Sequence, residues 1–289
     1  MHERFKTTPI AAKLRVSILQ RAIEGKLVPQ NPDDEPASKL VERIRADRTE
    51  LIKQKKAKAP KGGESIIWKD DNGSWWERRG KGEAACIDDE IPFDIPENWV
   101  WTRMLSLCDF GMCMNIKYAN VEVGTWNLDL EDLEKDTGKI LRKKRKTDRD
   151  KGSVKHVFQR GMVLYSKLRP YLNKVTEADE DGVCTSEILP LTFTQMENSY
   201  IIGFFRSPYF LRFADSHTTG IKMPRLRVDD VKLLLVPIPP TEEQRRISMQ
   251  IDAFSAMLDQ LENLERERCC RFCVLAGFAS HRSSVGCSR

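Results

Sequence analysis

The stretch from Pro237 to Leu261 constrains this chain's fold more than any other. Pro237-Ile-Pro-Pro240 ends the segment before it, since proline donates no backbone hydrogen bond. Thr241-Glu-Glu-Gln244 then has the form of a capping box, with Thr241 accepting from the N3 amide and Gln244 reaching back. Glu242 and Glu243 suit the first turn of a helix dipole. Ile247, Ile251, Phe254, Leu258 and Leu261 follow at 4-3-4-3 spacing, the seam of a coiled coil. A helix of the coiled-coil type, suited to pairing with another helix, is therefore expected over 241–268, with these five side chains as its helix interface. The seam lapses at Glu265, and no acid follows Glu267. The tail 269–289 turns to Cys, Ser, Arg and Gly, a change of composition that suggests a frameshifted or truncated end.

Upstream, Leu14, Ile18, Ala22 and Ile23 repeat at helical spacing and predict a helix over 10–27, with Gly25 near its end. Asn31-Pro-Asp-Asp-Glu-Pro36 breaks it. Leu40, Ile44 and Leu51 predict a second helix over 37–56, fading into a lysine-rich linker at Pro60-Lys-Gly-Gly63. Ile66-Ile-Trp68 and Trp75-Trp76, either side of Asp70-Asp-Asn-Gly73, read as a hairpin with an Asn-Gly turn. Ile91-Pro-Phe-Asp-Ile-Pro-Glu-Asn-Trp-Val-Trp101 leads, extended, into a mixed region. There Ile188–Phe193 and Val231–Pro237 read as strands, while Tyr200–Arg206 and Pro208–Phe213 read as helical. The fold class is α+β. The parts are an N-terminal helical segment and basic linker (1–62), a hairpin (63–95), a mixed globular domain (96–240), the capped helix (241–268) and the tail (269–289).

Net charge is only +5, so the distribution of charge carries more than its sum. Residues 139–160 hold ten Lys or Arg, among them Lys143, Lys144, Arg145 and Lys146, against two acids. An acidic stretch at 125–136 precedes them, leaving open a local charge pairing or a nucleic-acid patch. Gly161-Met-Val-Leu-Tyr165 then reads as a buried strand, and Lys167, Arg169, Tyr171, Asn173 and Lys174 cluster around Pro170 in a basic, aromatic turn. Such residues offer cations to phosphates and amide or planar groups to bases; taken singly, they are equally solvated surface charges. No apolar run is long enough to span a bilayer, and the first 13 residues lack the core of a signal peptide, which predicts a soluble, cytoplasmic protein.

Signatures of bond chemistry are missing. The sequence holds no Gly-x-Gly-x-x-Gly, no GxxxxGK[ST] and no Asn/Asp-Pro-Pro-Tyr/Phe. Asp230-Val-Lys232 and Glu24-Gly-Lys26 imitate half of a nuclease site, and triplets of this kind arise by chance in a chain with 31% charged residues. Four histidines stand far apart (His2, His156, His217, His281). Cys270-Arg-Phe-Cys273, even with Cys269, His281 and Cys287, matches no common zinc spacing, so no metal site is expected. The chain reads as one that performs no catalysis itself.

Three stretches together resemble the specificity subunit of a type I restriction–modification system. Ile95-Pro-Glu-Asn-Trp-Val-Trp101 resembles the entry to a target-recognition domain, and Gly161-Met-Val-Leu-Tyr-Ser-Lys-Leu-Arg-Pro-Tyr171 its central strand and loop. Gly220-Ile-Lys-Met-Pro-Arg-Leu226, then Val236-Pro-Ile-Pro-Pro-Thr-Glu-Glu-Gln-Arg-Arg-Ile247, resembles its exit into the spacer helix. Leu14–Val28 resembles a lead helix of such subunits, and the likeness covers roughly 10–268. The resemblance implies a non-catalytic, double-stranded-DNA-binding subunit that reads half of a bipartite site and docks the modification and restriction subunits. The assembled complex would be a site-specific endonuclease and adenine methyltransferase. S-adenosylmethionine, ATP and Mg would belong to the partners, leaving this chain no cofactor. It further implies base-reading by Lys167, Arg169, Tyr171 and Asn173, joined by Lys222, Arg225 and Arg227, with His217, Thr218 and Thr219 secondary. Leu168 and Met223 are expected to pack inside. Such subunits carry two recognition domains, whereas this chain has one. Either two copies pair as a homodimer through 241–268, or the chain is a truncated or silent half-subunit. A DNA-processing enzyme and a helix-mediated protein-interaction module are the competing readings.

Overall fold

The computed structural model describes residues 10–55, 57–60 and 62–275, with side chains through Leu264. Two helices come first, α1 (Ile10–Ile23) and α2 (Ala37–Lys53). The first stops where the periodicity does. Gly25 then turns at φ +69°, and a Cβ there would lie 2.3 Å from Pro96 Cγ. Only glycine lets the incoming Pro96–Trp99 segment pack so closely.

The expected hairpin is a three-stranded meander, β1 (Ser65–Lys69), β2 (Trp75–Arg79) and β3 (Ala84–Cys86). Its first loop is not a two-residue Asn-Gly turn. Lys69 pairs with Trp75, which leaves five residues between them, and Gly73 takes positive φ while Asn72 does not. Asp70 organises that loop by accepting the Asn72 and Ser74 amides and the Trp76 indole N–H.

The mixed region begins with β4 (Val100–Arg103) and a one-turn α3 (Met104–Leu107). Then come β5 (Asn115–Lys117), β6 (Trp126–Leu128), β7 (Lys144–Arg145), β8 (Val154–Phe158), β9 (Val163–Ser166), β10 (Val175–Glu177), β11 (Gly182–Cys184) and β12 (Ile188–Leu191). They form a five-stranded sheet, ordered β5-β8-β11-β6-β7, and a three-stranded sheet, β10-β9-β12. The run read as the central strand, β9, is central to the second sheet and buried throughout. Helices α4 (Asn198–Arg206) and α5 (Pro208–Ser216) follow, as their apolar spacing predicts. Next are a ribbon of β13 (Thr218–Thr219) and β14 (Arg225–Leu226), a short α6 (Val228–Lys232), and β15 (Leu235–Ile238). The strand expected from Val231 therefore starts at Leu235. Residues 228–232 are helical instead, with Asp229 and Asp230 in the first turn and Val231 buried.

β15 pairs antiparallel with β4, Ile238 opposite Val100 and Leu235 opposite Arg103, so the segment's entry and exit are hydrogen-bonded neighbours. From that junction α7 (Thr241–Leu275) departs. Its start is capped differently from the expected box. Pro240 supplies the first helical acceptor, for the Gln244 amide, which makes Thr241 the first helical residue. Gln244, fully buried, spends its side chain on the Pro239 carbonyl and the Glu197 amide. The helix also runs past the expected end at 268 to Leu275, while the remaining tail positions, with His281 and Cys287, lie outside the described residues.

α1 packs antiparallel along α7, with Arg15 meeting Ser255 and Asp259. The seam therefore has an in-chain partner. Ile247 and Leu258 are buried and Ile251, Phe254 and Leu261 half-buried. Packing joins parts that composition separates: Ala22 and Ile23 of α1, Leu40 and Ile44 of α2, Tyr165, Phe205 and Ile247 share one apolar core. No described helix is long and apolar enough to cross a membrane.

Candidate nucleic-acid interface

Two loops 50 residues apart in sequence are stitched into one surface. After β9 the chain turns at Arg169, a non-glycine residue at φ +50°, through a single 3-10 turn at Pro170–Leu172. A left-handed conformation costs an L-residue about 1–2 kcal/mol, so something must hold it. Arg169 N–H donates to the Pro224 carbonyl at 2.7 Å, Leu226 N–H donates to the Lys167 carbonyl at 2.9 Å, and Leu168 bridges Arg225. The β13–β14 ribbon is thereby locked edge-on to the β9 loop, with Gly220 to Pro224 as its tip. Gly220 turns at φ +90° there.

Glu187, which nothing local in the sequence singles out, organises both loops. Its carbonyl accepts Lys167 N–H, and its carboxylate receives Arg225 Nε at 3.0 and 3.1 Å. Its partners are distant in sequence, so no short motif could have revealed it. Arg227 leans on Asp230 at 2.6 Å. Lys167, Arg169 and Lys222 form no ion pair among the described residues, and Arg169, Tyr171 and Lys222 are exposed. Leu168 is buried, whereas Met223, expected inside, is 43% exposed at the tip.

The other expected contacts lie elsewhere. Asn173 is only 8% exposed and takes the left-handed conformation that ends the 3-10 turn, a backbone role suited to asparagine. Lys174 turns inward and donates to the Leu130 carbonyl at 2.6 Å; burial lowers its pKa. His217 stacks on Phe213 and its Nδ1 lies 2.8 Å from the Phe213 carbonyl, while Thr218 donates to Asp215. His156 Nδ1 contacts the Ile188 carbonyl.

The basic run meets acids at home. Lys143 pairs with Asp179 at 2.6 Å and sits over the Trp126 ring, Lys144 pairs with Glu131 at 2.7 Å, and Arg145 pairs with Glu180 at 2.8 Å. Hydrogen bonding to Glu131 raises the Lys144 pKa. Lys155 reaches Asp129, and Lys146 is buried near Tyr118. Of the two readings the sequence left open, the local pairing of 125–136 with the basic run is realised in this geometry.

The chain resembles several curated proteins. The chain is 29% identical over 262 residues to the Type I restriction enzyme EcoAI specificity subunit of Escherichia coli, across 86% of this chain and 40% of that protein. This chain is homologous to type I restriction specificity subunits. It spans about two fifths of the length of the curated relatives it matches. The fold agrees. The HsdS subunit from Thermoanaerobacter tengcongensis superposes with a TM-score of 0.53 at 21% identity, over 68% of this chain and 54% of that one. A chain from a type I R-M system superposes with a TM-score of 0.56 at 22% identity, over 67% and 53%. No protein-family model matches the chain. The α+β fold expected from the specificity-subunit resemblance is the fold observed.

Proposed function

We propose that this chain is a non-catalytic, sequence-specific DNA-binding subunit of a type I restriction–modification assembly, reading one half of a bipartite site. The observation that carries this reading is the union of the β9 loop with the β13–β14 ribbon in a homologue of specificity subunits. That union brings together Lys167, Arg169 and Lys222, cations without carboxylate partners among the described residues, on adjoining loops beside the exposed Tyr171. Phosphate contacts supply affinity that falls with salt, and a planar guanidinium at a base edge supplies discrimination. Arg225 and Arg227 join as oriented donors, since Glu187 and Asp230 fix their planes. Lys143, Lys144 and Arg145, each with an acid already close, and Lys146, buried over the Tyr118 ring, contribute to the field around the site.

The modification and restriction subunits are the proposed partners, with S-adenosylmethionine, ATP and Mg residing in them. Met249, Met257 and Leu264 are each more than 60% exposed, on a face of α7 turned away from the seam against α1. An apolar stripe on a helix of this kind suits docking to a partner subunit, or to a second copy that would complete the bipartite site.

Binding of the purified chain to random-sequence duplexes, followed by selection and a salt titration, tests the reading. Affinity that falls steeply with salt and a reproducible selected motif are expected. Arg169→Ala should relax that motif, with a loss of about 1–3 kcal/mol at its best-defined base pair. Binding with no preference across the library, or none at all, would exclude specificity.

A further inference from the structure

Ile221 projects from the tip of the β13–β14 ribbon with its side chain entirely exposed, at 102% of the reference accessibility. Met223, two residues on, is 43% exposed. A branched aliphatic side chain held fully in water at a hairpin tip contributes nothing to folding, because it packs on nothing. The tip is nevertheless built. Gly220 makes the turn at φ +90°, where a Cβ would come within 3.2 Å of the Met223 carbonyl, and Pro224 is tied to Arg169. Lys222 lies beside Ile221, with Lys167 and Arg169 on the adjoining loop. An apolar point beside cations that form no ion pair among the described residues matches an apolar feature on an otherwise anionic surface.

Duplex DNA has such a feature in the thymine C5-methyl group, which lies in the major groove. The major groove, about 12 Å wide, admits a two-stranded β-ribbon, and it is the groove in which the methyl group is displayed. Apolar wedges that unstack base steps enter from the minor groove, an arrangement that a reporter of base unstacking distinguishes from groove contact. We infer that Ile221 is a specificity-determining residue that contacts a thymine methyl in the major groove, while the surrounding cations hold the ribbon there. This rests on the DNA-reading function proposed above and names one residue and one base feature within it.

The experiment uses the full chain and the duplex selected by it from a random library. Each thymine of that duplex is replaced in turn by deoxyuridine, which lacks only the methyl. One position should weaken binding by wild-type chain about fourfold, the ratio that corresponds to ~0.8 kcal/mol for one methyl-sized group. Ile221→Ala should bind the thymine duplex about fourfold more weakly and show no further loss with deoxyuridine at that position, with an unchanged thermal midpoint. Wild-type indifference to every deoxyuridine substitution overturns the inference, as does an equal deoxyuridine penalty in Ile221→Ala. In both cases a sequence preference that depends on Arg169 would leave the DNA-reading function standing. Absence of any selected motif would remove both. A 2-aminopurine reporter that brightens on binding by wild-type chain but not by Ile221→Ala would show base unstacking, and would also overturn groove contact.

Discussion

At the scale of single residues, Arg169 separates fold from function most cleanly. It carries a left-handed backbone that glycine would adopt without strain, and a guanidinium that no described acid engages. Arg169→Gly should therefore keep or slightly raise the thermal midpoint while weakening DNA binding as much as Arg169→Ala does. A marked drop in the midpoint of the glycine variant would mean that the guanidinium supports the fold. Glu243 is the opposite kind of residue, fully buried, with its hydrogen bonds made inside the fold. Burial pushes its pKa up, against the Trp99 and Gln30 hydrogen bonds that pull it down. A folded pKa above the unfolded value means a contribution to stability that is complete below the unfolded pKa and shrinks as pH rises through the folded one. Glu243→Gln retains an acceptor for Trp99 and, with the Gln30 amide turned, a partner there too. The stability of the glutamine variant relative to wild type should thus improve between pH 4 and pH 7, as read from urea midpoints. A difference that stays flat over this range would show that Glu243 does not titrate as its burial requires.

At the scale of elements, the meander β1–β3 meets the mixed domain through apolar contacts of Ile67 with Trp101 and Leu235 and through a buried ion pair. Arg103 of β4 and Glu77 of β2 are 3% and 5% exposed, and Arg103 Nη2 meets Glu77 Oε2 at 2.6 Å. Arg79 and Ser65 complete the carboxylate's partners, and Glu90 and the Leu233 carbonyl those of Arg103. Burial alone would raise the Glu77 pKa, but the Arg79, Arg103 and Ser65 hydrogen bonds outweigh it and hold it down to about 2. A lowered carboxylate pKa gives stability that is present above the unfolded value and is lost as pH falls toward 2. Arg103→Met leaves Glu77 buried with only the half-buried Arg79 beside it and should cost about 3–5 kcal/mol in a denaturant titration. The double variant Glu77→Leu, Arg103→Met should recover much of that loss, since neither charge then remains buried. If the double variant were no more stable than Arg103→Met, the pair would matter for its hydrogen bonds to Ser65 and Leu233 rather than for charge compensation.

At the scale of the whole molecule, what the sequence discloses is what short range determines. The apolar spacing of α1, α2, α4 and α5 and the buried run of β9 are local patterns, and each is found where expected. The capping of α7 was misread because Gln244 has a better use across the fold, at Pro239 and Glu197, than the local box could offer. The turn-ending backbone of Asn173 and the anchoring of Lys174 on Leu130 are not legible either, because composition cannot tell an outward amide from a backbone turn former, or an outward lysine from an anchored one. The same blindness affects charge. Ten cations within 139–160 read as an electrostatic platform, yet Asp179 and Glu180, contributed by a later loop, neutralise Lys143 and Arg145 in space. The salt dependence of DNA binding distinguishes these two sets of cations. Each phosphate contact removed lowers the slope of log K against log salt by about 0.9. Lys167→Ala and Lys222→Ala should each reduce the slope by nearly that amount, if their ammonium groups displace counterions from DNA. Lys144→Ala should leave it almost unchanged, because Glu131 already occupies that ammonium in the free chain and would have to be displaced before a phosphate could bind. A Lys144→Ala slope that falls as far as that of Lys222→Ala would mean that the acidic partners give way on binding. The platform at 139–160 would then be a latent phosphate site, held by Glu131 and its neighbours until DNA arrives.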